Sequence, residues 1–189
     1  MFGFVILKYM RYEIEVKAKV KDLNTLKFKL EKIGCIFSGP IIQDDYIFNQ
    51  KGIDLKDDRH NTPVLRIREQ MGKIIFTVKK NRSDELDCIE KEVGVSDKNT
   101  LKEIIELLGF EQTVEVHKKR QKGKYHDYEI CLDEVQDLGT FIEIEKISEE
   151  NGEEVKTELS NFLEKLGIKK EDRVLIGYDS QIWLKQNQK

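Results

Sequence analysis

Apolar and polar residues alternate with a period of two over much of the chain, most clearly at 11–20, 41–48, 63–70, 73–81, 87–95, 112–121, 124–133 and 139–147. That is the period of a strand whose two faces meet different surroundings, so about eight strands are expected. "QMGK" at 70–73 and "KGK" at 122–124 supply glycine for hairpin turns, which makes neighbouring strands antiparallel. The helical period occurs in three places. The first runs from Asp22, an N-cap, through Leu23, Leu26, Leu30 and Ile33 to Gly34. The second starts near Asp97, with Thr100 and Glu103 at capping-box spacing, and carries Leu101, Ile104, Ile105 and Leu108 to Gly109. The third carries Val155, Leu159, Phe162, Leu163 and Leu166 to Gly167.

Two of these units repeat. A shift of 75 residues lays Glu15 on Glu90, Asp22 on Asp97, "NTLK" 24–27 on "NTLK" 99–102 and Gly34 on Gly109. A strand leading into a capped helix therefore occurs twice, which suggests two related halves. The one long connection, "NQKGIDLKDDRHNT" at 49–62, is of a length that is usually functional or disordered.

The polar face of nearly every strand is ionised. Glu13, Glu15 and Lys17 share one face of "YEIEVKAKV", with Ile14, Val16 and Ala18 on the other. The pattern recurs with Arg66 and Arg68, Lys79, Glu90 and Glu92, Lys118 and Arg120, Asp133, and Glu143 and Glu145. For a single strand, such a face is ordinary solvated surface. Eight antiparallel strands tend to curl and close, however, and three amphipathic helices need an apolar sheet surface to cover. Only the faces of Ile14, Val16, Leu65, Ile67, Phe76, Val78, Ile142 and Ile144 offer one. The expected fold is α+β: an eight-stranded antiparallel closed β-barrel, a tunnel with helices packed outside and charges lining the lumen.

Composition narrows the reading further. The 189 residues are enough for one domain, placed at 10–189 after an N-terminal extension at 1–9, with Met10 a second candidate start. Charged residues make up 37%, as an ionised interior or a heat-adapted surface requires. A net charge of −3 gives no reason to expect nucleic acid as a partner. The opening "MFGFVILK" is too short to span a bilayer, so no membrane partner is expected. Cys35, Cys88 and Cys131 lack any paired spacing, which fits a reduced cytoplasmic location, and His60, His117 and His126 lack metal-motif spacing. A homodimer is compatible with all of this.

The inward charges nearly balance, six cationic against seven acidic. A nucleoside triphosphate would add about −4, and roughly two divalent cations on carboxylate oxygens would restore neutrality. Arginine and lysine suit phosphate oxygens. A lumen of this kind is built for a metal–triphosphate.

These residues resemble the CYTH, or triphosphate-tunnel, superfamily, whose hallmark is an N-terminal ExExK strand, here Glu13, Glu15 and Lys17. The resemblance covers 10–180 and includes "QDDYIF" 43–48, "LRIRE" 65–69, "TVKK" 77–80, "IEKEV" 89–93, "KKR" 118–120, "CLDEVQDLGTFIEIE" 131–145 and "GYDS" 177–180. Length and the "TPVLRIRE" strand make the chain most similar to the class IV adenylyl cyclase group. That resemblance implies a solvent-open tunnel, Mg²⁺ or Mn²⁺, and conversion of ATP to cyclic AMP and pyrophosphate; relatives instead hydrolyse inorganic or thiamine triphosphate. By motif position, Glu13, Glu15 and Glu143 would be metal ligands, with Asp133 and Glu90 assisting. Arg66, Arg68, Lys79, Lys118 and Arg120 would grip the triphosphate. Lys17 would be the catalytic residue, as proton acceptor or as phosphate contact. The 49–62 loop has no residue-by-residue match, which leaves base recognition open.

Overall fold

A computed structural model of the chain describes residues 12–53, 62–84, 86–148 and 152–187. The N-terminal extension, Met10 and residues 54–61 of the long connection lie outside the described residues, and base recognition by that loop lies there with them.

Alternation of side chains drives the architecture. The long strands are β1 (Tyr12–Lys19), β3 (Ile41–Gln50), β4 (Val64–Gln70), β5 (Lys73–Asp84), β6 (Asp87–Val95), β7 (Phe110–Tyr125), β8 (Tyr128–Val135) and β9 (Gly139–Ser148). They pair antiparallel in the order β1-β6-β5-β4-β3-β7-β8-β9, and β1 returns to β9 from Tyr12 opposite Ser148 to Lys19 opposite Phe141. The barrel is closed. Two short strands, β2 (Ile36–Phe37) and β10 (Arg173–Val174), pair antiparallel with β7 and β1 in the same sheet.

The apolar face points outward, as the helices require. Ile14, Val16, Ala18, Ile142 and Ile144 form one core with Leu26 and Leu30 of α1 (Leu23–Lys32) and Val155, Leu159 and Leu163 of α3 (Gly152–Lys165). Each fully buried leucine there contributes about 1.5–3 kcal/mol. Phe48, Leu65 and Ile67 form a second core beneath Ile105 of α2 (Lys98–Leu107). Asp22 caps α1, accepting from the Thr25 amide at 2.9 Å. Asp97 likewise caps α2, accepting from the Asn99 amide at 2.9 Å and the Thr100 amide at 3.2 Å. Thr100 bonds back to Asp97 at 2.7 Å, so Asp97 is the cap and the pairing expected of Thr100 with Glu103 is not used.

The repeat is a property of the fold. Exchanging β1 with β6, β3 with β7, β4 with β8 and β5 with β9 maps the cyclic strand order onto itself in the opposite direction. A pseudo-two-fold axis crosses the barrel where Glu13 pairs with Cys88, the residue 75 further along.

Two expectations need correction. Gly123 does not turn the chain: β7 runs through it, and the hairpin closes between Tyr125 and Tyr128 over His126 and Asp127, with His126 at φ 53°. Glycine is there for close approach, because an added Cβ would sit 2.6 Å from the Phe37 ring and 2.8 Å from Cys35 Sγ. Gly123→Ala is therefore expected to destabilise the chain by about 1–3 kcal/mol through overpacking, read as a lower melting temperature; an unchanged melt would show that β2 can yield. The second correction is a fourth helix, α4 (Tyr178–Asn187). Its Tyr178 and Ile182 pack against the inward side chains Ile47, Val114, Val116 and Phe141, so α4 seats at one end of the lumen rather than on an outer face. Among the described residues no helix is long and apolar enough to cross a membrane.

Candidate active site

The inward faces enclose a cavity of about 380 Å³. Glu13, Glu15, Lys17, Arg66, Arg68, Lys79, Glu90, Lys118, Arg120 and Glu143 all line it. They come from six strands, and the register of the barrel brings them together.

On one side the lining is acidic. Glu15 faces Glu145 across β1 and β9, and Lys17 faces Glu143 one step along. Carboxylate oxygens of Glu15, Glu143 and Glu145 lie within 4.8 Å of one another. Burial, reinforced by Glu13, Glu143 and Glu15 and opposed by Arg120, whose Nη1 is 3.7 Å away, pushes the Glu145 carboxyl well above the ordinary range. Burial, with Glu90 and Glu15 nearby and Lys79 opposing, also raises Glu13. At both carboxyls, burial and neighbouring like charge outweigh the cation nearby. Glu143 is the opposite case: burial works against its charge, yet Arg120 and Lys17, the latter at 3.0 Å, hold it well below the usual range.

On the other side the lining is cationic. Arg68 donates to both oxygens of Asp45, at 2.6 and 2.8 Å, and Arg120 to both oxygens of Asp133, at 2.8 and 2.6 Å. Planar forks held this way present their remaining donors in fixed directions. Arg66 reaches Glu90 at 2.8 Å, Glu92 at 2.9 Å and Thr77 at 3.1 Å through Nη2, while its buried Nε has no partner among the described residues. An unpartnered buried donor on a cation is a place for an anion.

Residues 11–178 match the CYTH domain, nearly the whole described chain. The chain belongs to the CYTH family. It is 35% identical over 170 residues to a Methanocaldococcus jannaschii protein named "Putative adenylate cyclase", covering 88% of this chain and 95% of that one. A structure of the PH1012 protein from Pyrococcus horikoshii superposes with a TM-score of 0.76 at 30% identity, covering 89% and 98% of the two chains. A Hippeastrum protein described as revealing a dominant triphosphatase activity shares the fold at a TM-score of 0.60 and 17% identity, over 94% and 96% of the chains.

Within this CYTH tunnel the two inward lysines differ. Burial would lower Lys17, but Glu143 and Glu15, at 3.0 and 3.2 Å, hold its ammonium well above the ordinary range. Lys118 is lowered to about 8, by burial first and then by Arg120; its nearest carboxylate, Asp45, is 3.6 Å away. Lys79 sits 2.6 Å from Glu90, and Glu90 is held down at about 2, burial being overcome by Lys79 and Arg66.

Asp133 is placed apart from the other candidates. It is fully buried outside the cavity lining, both oxygens taken by Arg120 and one also accepting from the Tyr178 hydroxyl at 2.9 Å. Several lining residues carry no role assigned from the sequence, Glu145, Asp45 and Tyr178 among them. Glu145 was counted there only among the inward charges. Asp45 was legible as an inward position of "QDDYIF". Tyr178, from "GYDS", brings its ring 4.1 Å from Lys17 Nζ and 5.2 Å from Lys118 Nζ.

Proposed function

We propose that this CYTH protein is a divalent-metal-dependent enzyme acting on a triphosphate inside its tunnel, and that its reaction is conversion of ATP to cyclic AMP and pyrophosphate. The observation that carries the reading is the division of one cavity into an acidic side of clustered carboxylates and a cationic side with an unpartnered buried arginine donor. The name of the 35% identical relative supports the choice of ATP.

The residues fit Mg²⁺ or Mn²⁺. Glu15, Glu143 and Glu145 offer clustered hard oxygens, with Glu13 beside them. A bound cation of this kind would neutralise charge and polarise phosphate oxygens. Glu90 is already held by Arg66 and Lys79, and Asp133 by Arg120, so both acids serve the site through those cations.

Arg66, Arg68 and Arg120 bind phosphate oxygens, and Lys79 adds a charge next to Glu90. With the chain's groups fixed by their carboxylate partners, catalysis rests on positioning and electrostatic stabilisation. The ribose 3′-oxygen attacks the α-phosphorus, the bond to the β-phosphate oxygen breaks, and pyrophosphate leaves. Lys118, the lysine closest to neutrality, accepts the proton of the 3′-hydroxyl. Lys17 stays charged and orients Glu15 and Glu143.

The second reading is hydrolysis, with water in place of the 3′-hydroxyl. The dominance of phosphate- and metal-binding side chains in the described lining favours it. Incubation with ATP, thiamine triphosphate and inorganic triphosphate, each with Mg²⁺ or Mn²⁺, separates the two by their products. Cyclic AMP with pyrophosphate is the expected result. Orthophosphate from all three substrates would assign a triphosphatase, and no turnover of any of them would sink both readings.

A further inference from the structure

The pseudo-two-fold of the barrel relates side chains as well as strands. The pair Asp133 and Arg120 on β8 and β7 has its counterpart in Arg68 and Asp45 on β4 and β3, opposite each other in the same register. Both are bidentate at 2.6–2.8 Å, with acid and base exchanged. Lys17 opposite Glu143 corresponds to Glu92 opposite Thr77, which are joined by a 2.9 Å hydrogen bond. The next step along carries Glu15 opposite Glu145 in one half and Glu90 opposite Lys79 in the other. At equivalent positions, one half thus holds two facing carboxylates, with Lys17 3.2 Å from Glu15 and Arg120 3.7 Å from Glu145, and the other a single carboxylate with the facing ammonium 2.6 Å away.

We infer that the tunnel contains two equivalent cation positions, filled differently: Lys79 is the resident cation of the second half, and only the Glu15–Glu145 position takes a divalent metal in the substrate-free protein. The inference rests on the metal reading above. The duplicated unit carries an acidic inward residue on its first strand in both halves, Glu15 and Glu90. What differs is the facing strand, where Glu145 in one half adds a second carboxylate and Lys79 in the other supplies an ammonium.

Mn²⁺ binding to the full chain without nucleotide, counted by electron paramagnetic resonance and calorimetry, tests this. Wild type is expected to bind one Mn²⁺ per chain, Lys79→Arg one, Lys79→Met two, and the double variant Lys79→Met with Glu90→Gln one again. A single Mn²⁺ in a folded Lys79→Met variant, or two in wild type, would overturn the inference; none in wild type would overturn the metal reading itself. The reciprocal variant Glu145→Lys places an ammonium opposite Glu15 and does not depend on Lys79→Met folding. It should melt no lower than metal-free wild type, and Mn²⁺ should no longer shift its melting. A clearly lower melting temperature, or a retained Mn²⁺ shift, would show that the two positions are not equivalent.

Discussion

Turnover of a Glu143→Ala variant falls by about 10²–10³-fold, the loss expected when one preorganised electrostatic group is removed, and its melting temperature falls as well. Glu143 is 3% exposed and touches both Lys17 and Arg120. Its removal takes one oxygen from the proposed metal site and leaves two buried cations each short of a partner. Breaking a buried pair on one side costs about 3–5 kcal/mol. Lys17 keeps Glu15 and Arg120 keeps Asp133, so the lower end applies, and about 3 kcal/mol in a chain of this size is roughly 6–12 °C. Glu15 is more exposed, and its ion-pair partner is Lys17 at 3.2 Å. Glu15→Ala should therefore lose activity to a similar extent with little change in melting. Product assays at saturating Mn²⁺ beside thermal melts check both variants, and near-normal turnover in the two would remove the metal assignment.

Lys118→Arg is expected to cost about 10²–10⁴-fold in kcat, the usual contribution of a positioned base, while triphosphate affinity is kept. Arginine preserves the positive charge but cannot give up its proton usefully. In the proposed mechanism Lys118 acts as the neutral amine, so the wild-type rate should climb as pH rises through its pKa. That value is about 8 in the free protein and higher once phosphate charge is bound. In Lys118→Arg this climb should vanish, and in Lys17→Arg it should persist, because Lys17 is held charged by Glu143 and Glu15. The opposite pattern, a profile lost in Lys17→Arg and kept in Lys118→Arg, would make Lys17 the proton acceptor.

The barrel was readable from the sequence because side chains alternate strictly and the outer helices demand apolar partners, which fixes the charged faces inside. Ile14, Leu65 and Ile144 sit in outer cores as that argument requires. Gly123 misled because a glycine between lysines has the composition of a turn, and its actual reason, the Phe37 ring, is distant in sequence. Helix α4 was hidden because its buried residues, Tyr178, Ser180 and Ile182, do not form a helical apolar stripe; its first turn enters the polar lumen. Asp133 shows the limit of parity within the site. Alternation placed it inward with the other acids, but whether an inward carboxylate meets a metal or an arginine depends on which strand faces it, and that register is set by the closed barrel.

Closure between β1 and β9 has a consequence for how the chain folds. The first long strand finds its main partner only in the last long strand, so the barrel depends on contacts of very high sequence separation, which slow folding. During synthesis the acidic strand must wait, unpaired with β9, until Ser148 has emerged. The acidic cluster joining Glu15 to Glu143 and Glu145 then appears in one late event, and a metal bound across that seam would act as a clasp on the finished barrel.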